Sequence, residues 1–281
     1  MVPSRRAAIA GAAALGLAGA ARAPAKRVVS LNPCLDANLV TLADPSQIAA
    51  LSHFSQIEDS SSVPLAVARR YPFVYESAEE VMALAPDLVL ASRHSSLATR
   101  NALQRLGIRI LLFKTPDSIA ESFAQMLDVA AALGREPQAR VAIARVEAAL
   151  AAAAPPPGAR PISALVYQRN GFSSGPGTLM DELLRRTGFT NAIVRYGITQ
   201  TGNVPLENVV ADPPQVLLRG VPHPGQPGWS DRVMTHPALT AVGSKMRVVT
   251  FPERLMYCGG PNLVEAATRL AAARRRVEVS A

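Results

Sequence analysis

Apolar positions along this chain change their period several times, and the changes mark the elements. Between residues 117 and 154 alanine, leucine and valine recur at three- and four-residue steps with charges between them, the spacing of amphipathic helix. Gly134 and Pro137 interrupt the run, so it predicts two helices, about 118–133 and 137–154, and Pro155-Pro156-Pro157-Gly158 stops the second. Before it, short continuous apolar runs at 27–31, 48–51, 87–91 and 108–113 read as buried parallel strands, with helical spacing at 36–43, from Ala78 to Pro86 and at 96–106. After it the pattern restarts, with strands at 162–167, 215–218 and 247–251 and helices at 179–187, 207–211, 234–242 and 262–275. Three stretches read as irregular: 52–75, the Gly/Ser-rich 171–177 and the Pro/Gly-rich 222–229.

The two flanks also resemble each other in detail. Glu79 opens a short helix, Pro86 stands seven residues on, and an apolar strand follows; Glu207, Pro214 and the next apolar run repeat the arrangement. Strand and helix in alternation is α/β logic. The expectation is α/β: two α/β lobes with mainly parallel central sheets, 24–116 and 155–281, joined by a helical connector, 117–154, acting as a single long interdomain helix.

Composition refines this picture. Apolar residues make up 49% of 281, enough for a large core, whereas aromatics are only 5%. The formal charge of +8 raises the question of nucleic acid, but the arginines are scattered apart from Arg274-Arg275-Arg276, with no recognition motif and no interleaved stacking aromatics. Ser4-Arg5-Arg6, an Ala/Gly/Leu run from Ala7 to Ala20 and Ala21-Arg22-Ala23 read as an export signal over 1–23, twin-arginine-like and too short for a membrane span. The chain is therefore expected to be soluble in the periplasm. Leu31-Asn32-Pro33-Cys34 is a poor lipidation site, so no lipid anchor is expected there. Cys34 and Cys258 meet an oxidising compartment; a bridge between them is favoured over buried thiols or metal ligation, and would contribute about 4–5 kcal/mol in the chain-entropy model.

Ligands of open parallel sheets sit beyond the carboxyl ends of the strands. Those positions are 32–34, 52–54, 92–94 and 114–115 in the first half, and 168–172, 219–229 and 252–258 in the second. Facing each other they make a cleft whose candidate lining is Cys34, His53, Phe54, Arg93, His94, Phe172, Trp229, Arg254 and Tyr257, aromatics and arginines suited to a large, flat or anionic ligand. The four histidines never pair at metal-site spacing, so no resident metal is expected. Gly171-Phe172-Ser173-Ser174-Gly175 fits a serine-hydrolase pattern, but Gly175-Pro176-Gly177 delays the helix that should start at once after Ser173. Glu79 and Glu207, each in a first helical turn, offer a matched pair of anionic points to a partner.

Taken together, RVVSL (27–31) with its following acidic helix, PDLVLAS (86–92), Leu106-Gly107-Ile108, GTLMDELLRRTGFTN (177–191) and the two glutamate-to-proline repeats resemble the binding proteins of ABC importers for cobalamin, ferric siderophores and heme. The resemblance covers nearly the whole chain after the leader. It implies two lobes with limited hinge motion, a ligand between them, and docking of Glu79 and Glu207 on arginines of a membrane permease. Cobalamin binders of that family set large aromatics around the corrin; Phe73 matches one such place with a smaller ring, and Trp229 is the sole tryptophan. The implied protein is a monomer without a cofactor of its own and without catalysis, binding a metal chelate, cobalamin before siderophore or heme. The rivals are an exported hydrolase using Ser173 and a non-transport member of the same fold.

Overall fold

The computed structural model describes residues 23–221, 232–233, 235–243 and 245–278, so nearly all of the expected export signal lies outside the described residues. The first lobe is a parallel sheet of β1 (Val28–Ser30), β2 (Ile48–Ser52), β3 (Phe73–Val74), β4 (Leu88–Ser92) and β5 (Ile110–Phe113), in spatial order β3-β2-β1-β4-β5. Alternate residues leave its two faces. Val28, Leu88 and Leu90 enter a core with α1 (Pro33–Leu42), while Val29, Val89 and Ala91 enter another with α3 (Ala78–Ala83) and α4 (Leu97–Arg105). Burial on both faces is why these strands read as unbroken apolar runs rather than alternating ones.

The second lobe repeats the plan. β6 (Ile162–Tyr167), β8 (Phe189–Asn191), β10 (Val216–Arg219) and β11 (Arg247–Thr250) form a parallel sheet, β11-β10-β6-β8, beside an antiparallel ribbon of β7 (Phe172–Ser173) and β9 (Gly202–Asn203). Ala164, Val166, Val216 and Leu218 face α7 (Leu179–Arg186) and α11 (Asn262–Glu278); Leu165 and Leu217 face α8 (Leu206–Ala211) and α9 (Pro237–Ala241).

Between the sheets run α5 (Ile119–Leu133) and α6 (Glu136–Ala153). Ser118 caps α5 by accepting from Glu121 N–H, and Gly134 ends it in the left-handed conformation, φ 67°, where a Cβ would stand 2.8 Å from Pro24. The pair is antiparallel. Ile119 of α5 shares a core with Val146, Leu150 and Ala153 of α6, while Met126, Val129 and Leu133 share the other lobe's core with Ala139 and Ala142. Phe123 packs against both cores. At 18 residues, about 27 Å, α6 is the long interdomain helix, and α5 doubles it.

Three readings of the sequence need correction. The stretch 52–75 contains α2 (Leu65–Ala68) and β3, too short to show a period. β8 was not expected, because only Phe189 of its three residues is buried. The helix expected at 36–43 starts earlier, at Pro33: the Asn32 side chain accepts from the backbone N–H groups of Cys34 and Leu35, so Asn32-Pro33 starts that helix as well as ending the strand.

A disulfide joins Cys34 at the start of α1 to Cys258 just after α10 (Arg254–Tyr257), with Cα atoms 5.0 Å apart and a sequence separation of 224. The glycines that follow allow the backbone to lie against the first lobe and α5. A Cβ on Gly259 would stand 2.4 Å from Ser122 Oγ, and one on Gly260 (φ 68°) 2.3 Å from Asn38 Oδ1. Gly260 N–H donates to Ser122 Oγ at 2.5 Å. Gly259→Ala is expected to lose about 1–3 kcal/mol of stability in a urea melt; a midpoint equal to that of the parent would show that this close approach does not matter.

Candidate binding cleft

The carboxyl edges of the two sheets face each other across a cleft of about 300 Å³. Asn32, Pro33 and Cys34 follow β1, Phe54 follows β2, and Thr115 follows β5. From the other lobe come Arg169 after β6, Val221 after β10, and Pro252, Glu253, Arg254, Tyr257 and Cys258 after β11. Asp59 and Ser60 complete the lining from a loop not marked as a strand end, and the sequence carried no signal for them.

Of the expected contacts, Cys34, Phe54, Arg254 and Tyr257 are therefore brought together. His53 and Phe73 stand beside them in an aromatic group on the first lobe. The His53 and Phe54 rings are 3.9 Å apart, His53 stacks on Tyr75 at 4.9 Å, and Phe73 meets Tyr75 edge-on at 5.6 Å. Tyr75 is 64% exposed and Phe73 44% exposed, faces open to a flat partner. Tyr75 was missed; the alternation Phe73-Val74-Tyr75, with Val74 buried, is the signal that could have found it. His53 Nδ1 is buried with no hydrogen-bond partner among the described residues. Phe172 lies behind Tyr257, ring centroids 6.0 Å apart. Arg93 and His94 are exposed beyond β4 and do not line the cleft. Trp229 lies outside the described residues.

Both arginines of the cleft are matched by carboxylates. Arg254 donates to both carboxylate oxygens of Glu265, at 2.7 and 2.8 Å, and from the same guanidinium to Ser62 Oγ of the other lobe at 2.8 Å. Arg169 pairs with Glu253 at 3.2 Å. Burial pushes the Tyr257 hydroxyl well above its ordinary range; Glu253 adds to this and Arg169 opposes it, so the phenol stays protonated. The arrangement can offer apolar walls, a phenol and paired ions, but little surplus charge.

Ser173 is buried, and its hydroxyl donates to the Val166 carbonyl at 2.5 Å, tying β7 to β6 rather than facing a substrate. Glu79 and Glu207 occupy matching places. Each is exposed in the first turn of its short helix, α3 or α8, at the carboxyl edge of its sheet, and the charge of Glu207 reaches Tyr167 at the end of β6. Among the described residues no helix is long and apolar enough to cross a membrane, and no cluster of three metal-ligating side chains occurs.

Comparison with known proteins gives a consistent result. The model of a family described as periplasmic binding protein matches residues 28–255. A cobalamin-binding protein of Halobacterium salinarum is 26% identical over 232 residues, 80% of this chain; the chain spans about 60% of the length of that curated relative. The apo periplasmic heme-binding protein RhuT from Roseiflexus sp. RS-1 superimposes with a TM-score of 0.71 at 22% identity, over 88% of this chain and 98% of that one. The periplasmic vitamin B12 binding protein BtuF of Vibrio cholerae gives 0.66 at 15% identity, over 91% and 98%. At these identities the structures show a shared fold.

One carboxyl on α1, the helix that opens at the cleft with Pro33 and Cys34, is fully buried. Asp36 of α1 is wholly buried and accepts from Ser52 N–H at 3.0 Å and Ser52 Oγ at 2.5 Å. Burial raises it from 3.8 to about 7, against the pull of hydrogen bonds from Ser30 and Ser52. The folded state thus holds this proton more tightly than the unfolded one. Its stabilising contribution is complete below about pH 4 and is lost as the pH rises through about 7. Asp36→Asn is expected to narrow the gap in melting temperature between about pH 5 and about pH 8, read by circular dichroism; an unchanged gap would remove Asp36 from the pH dependence.

Proposed function

The chain belongs to the periplasmic binding protein family, and from that premise we propose that it is the exported, soluble binding component of an ABC importer, carrying a metal chelate between its lobes. The observation that carries the reading is the cleft itself, formed where the carboxyl edges of two parallel sheets meet, with exposed aromatic faces on one wall. A large ring system with much apolar surface and little net charge suits those walls. Both lining arginines are already paired with carboxylates. A strongly anionic catecholate would have to displace those partners, whereas a corrinoid would not. Cobalamin or a related corrinoid is therefore the favoured cargo, in line with what the Halobacterium relative is named for. Heme or a ferric siderophore is the second reading, supported by the heme-binding name of a structural relative and by the unpartnered His53 Nδ1. Hydrolysis through Ser173 is disfavoured by the burial of its hydroxyl.

Export of the chain rests on the twin-arginine-like leader, and handover on Glu79 and Glu207. One glutamate at the same edge of each lobe lets a permease with two arginine clusters engage both lobes at once.

A fluorescence titration of the purified protein with cobalamin, cobinamide, heme and ferric siderophores, with inner-filter controls, is expected to give saturable quenching with cobalamin and cobinamide. Phe54→Ala and Tyr257→Ala should each weaken that binding about tenfold, equivalent to about 1.4 kcal/mol. A response to heme alone would overturn the corrinoid assignment, and no response to any chelate would overturn the cargo class.

Glu79→Arg with Glu207→Arg is expected to abolish uptake in cells while leaving the titration unchanged. Loss of affinity in that double variant would count against a docking role.

A further inference from the structure

The disulfide joins the two lobes and lines the cleft. Cys34 opens α1 of the first lobe, Cys258 follows α10 of the second, and both residues line the cleft. Apart from the connector, it is the covalent link from lobe to lobe. The other fastenings in this region are breakable: Gly260 N–H to Ser122 Oγ, and Arg254 to Ser62 Oγ across the cleft. Single hydrogen bonds of this kind contribute little net, so thermal motion opens them on its own. A disulfide is not opened by thermal motion.

We propose that the Cys34–Cys258 disulfide is a redox-breakable stop on opening of the cleft. Oxidised, it holds α1 and the segment 258–260 together, so the lobes meet a cargo already spaced for it and little ordering remains to be done on binding. Reduction requires an external dithiol. Its thiolate attacks one sulfur, the protein S–S bond breaks and a mixed disulfide forms. The second thiolate then closes the reductant's own disulfide, so that one dithiol is oxidised and two cysteine thiols result. Cys258 is 5% exposed and Cys34 is partly exposed towards the cleft, so attack comes from the cleft side. The inference concerns the motion of the lobes and stands whatever the cargo proves to be.

Small-angle X-ray scattering of the ligand-free protein tests it, on the oxidised form, the form kept in dithiothreitol, and Cys34→Ala/Cys258→Ala. The expected result is a larger radius of gyration and a longer maximum dimension for the reduced protein and the double variant, with far-UV circular dichroism unchanged. Reoxidation should restore the first curve. Superimposable curves would overturn the proposal. So would loss of the dichroism signal on reduction, because the bridge would then be a condition of folding and not a stop. If the double variant alone fails to fold, the reduced parent decides between the same two outcomes.

Discussion

The structure depends on one shared apolar surface, the buried faces of the antiparallel α5–α6 pair. Neither lobe completes its core alone. One takes Ile119, Val146, Leu150 and Ala153 from the pair, the other takes Met126, Val129, Leu133, Ala139 and Ala142, and Phe123 touches both. Burial of these faces gives a hinge that is itself core, so bending it would uncover apolar surface on both sides. The alanines serve the same end. With only a methyl group at 139, 142 and 153, α6 buries these positions against its neighbours, and its alanines favour the helix over so long a connector.

Much of this was legible in the sequence because it depends on burial pattern. Unbroken apolar strands, helices with alternating charge and a connector punctuated at Gly134 all follow from local chemistry, and the strand-end rule named most of the segments that line the cleft. What failed had too few residues to carry a period. β3, β7 and β9 have two residues each and β8 three, and their existence is settled by partners far along the chain. Asp59 and Ser60 reach the cleft through the course of a loop, which no periodicity encodes. Arg93 and His94 also sit at a strand end, yet both are exposed and outside the lining of the cleft.

The chemistry of the cleft was harder to foresee than its location. From sequence Arg254 is a positive charge awaiting an anion. In the fold it is bound by Glu265, eleven residues on along the chain, and by Ser62 from the other lobe, and Arg169 is likewise matched by Glu253. The positive charge that looks available at Arg169 and Arg254 is already paired within the walls. The surface glutamates differ. They are exposed, they recur once per lobe, and the repeat that contains them was visible before any coordinates.

The disulfide encloses nearly the entire described chain, from the first turn of α1 to the segment that precedes α11. Topologically the two lobes form a ring with two tails, the residues before Cys34 and the last helix. A protease that cuts a loop inside that ring leaves both fragments covalently attached through the disulfide. One covalent closure of this kind keeps a nicked chain in one piece.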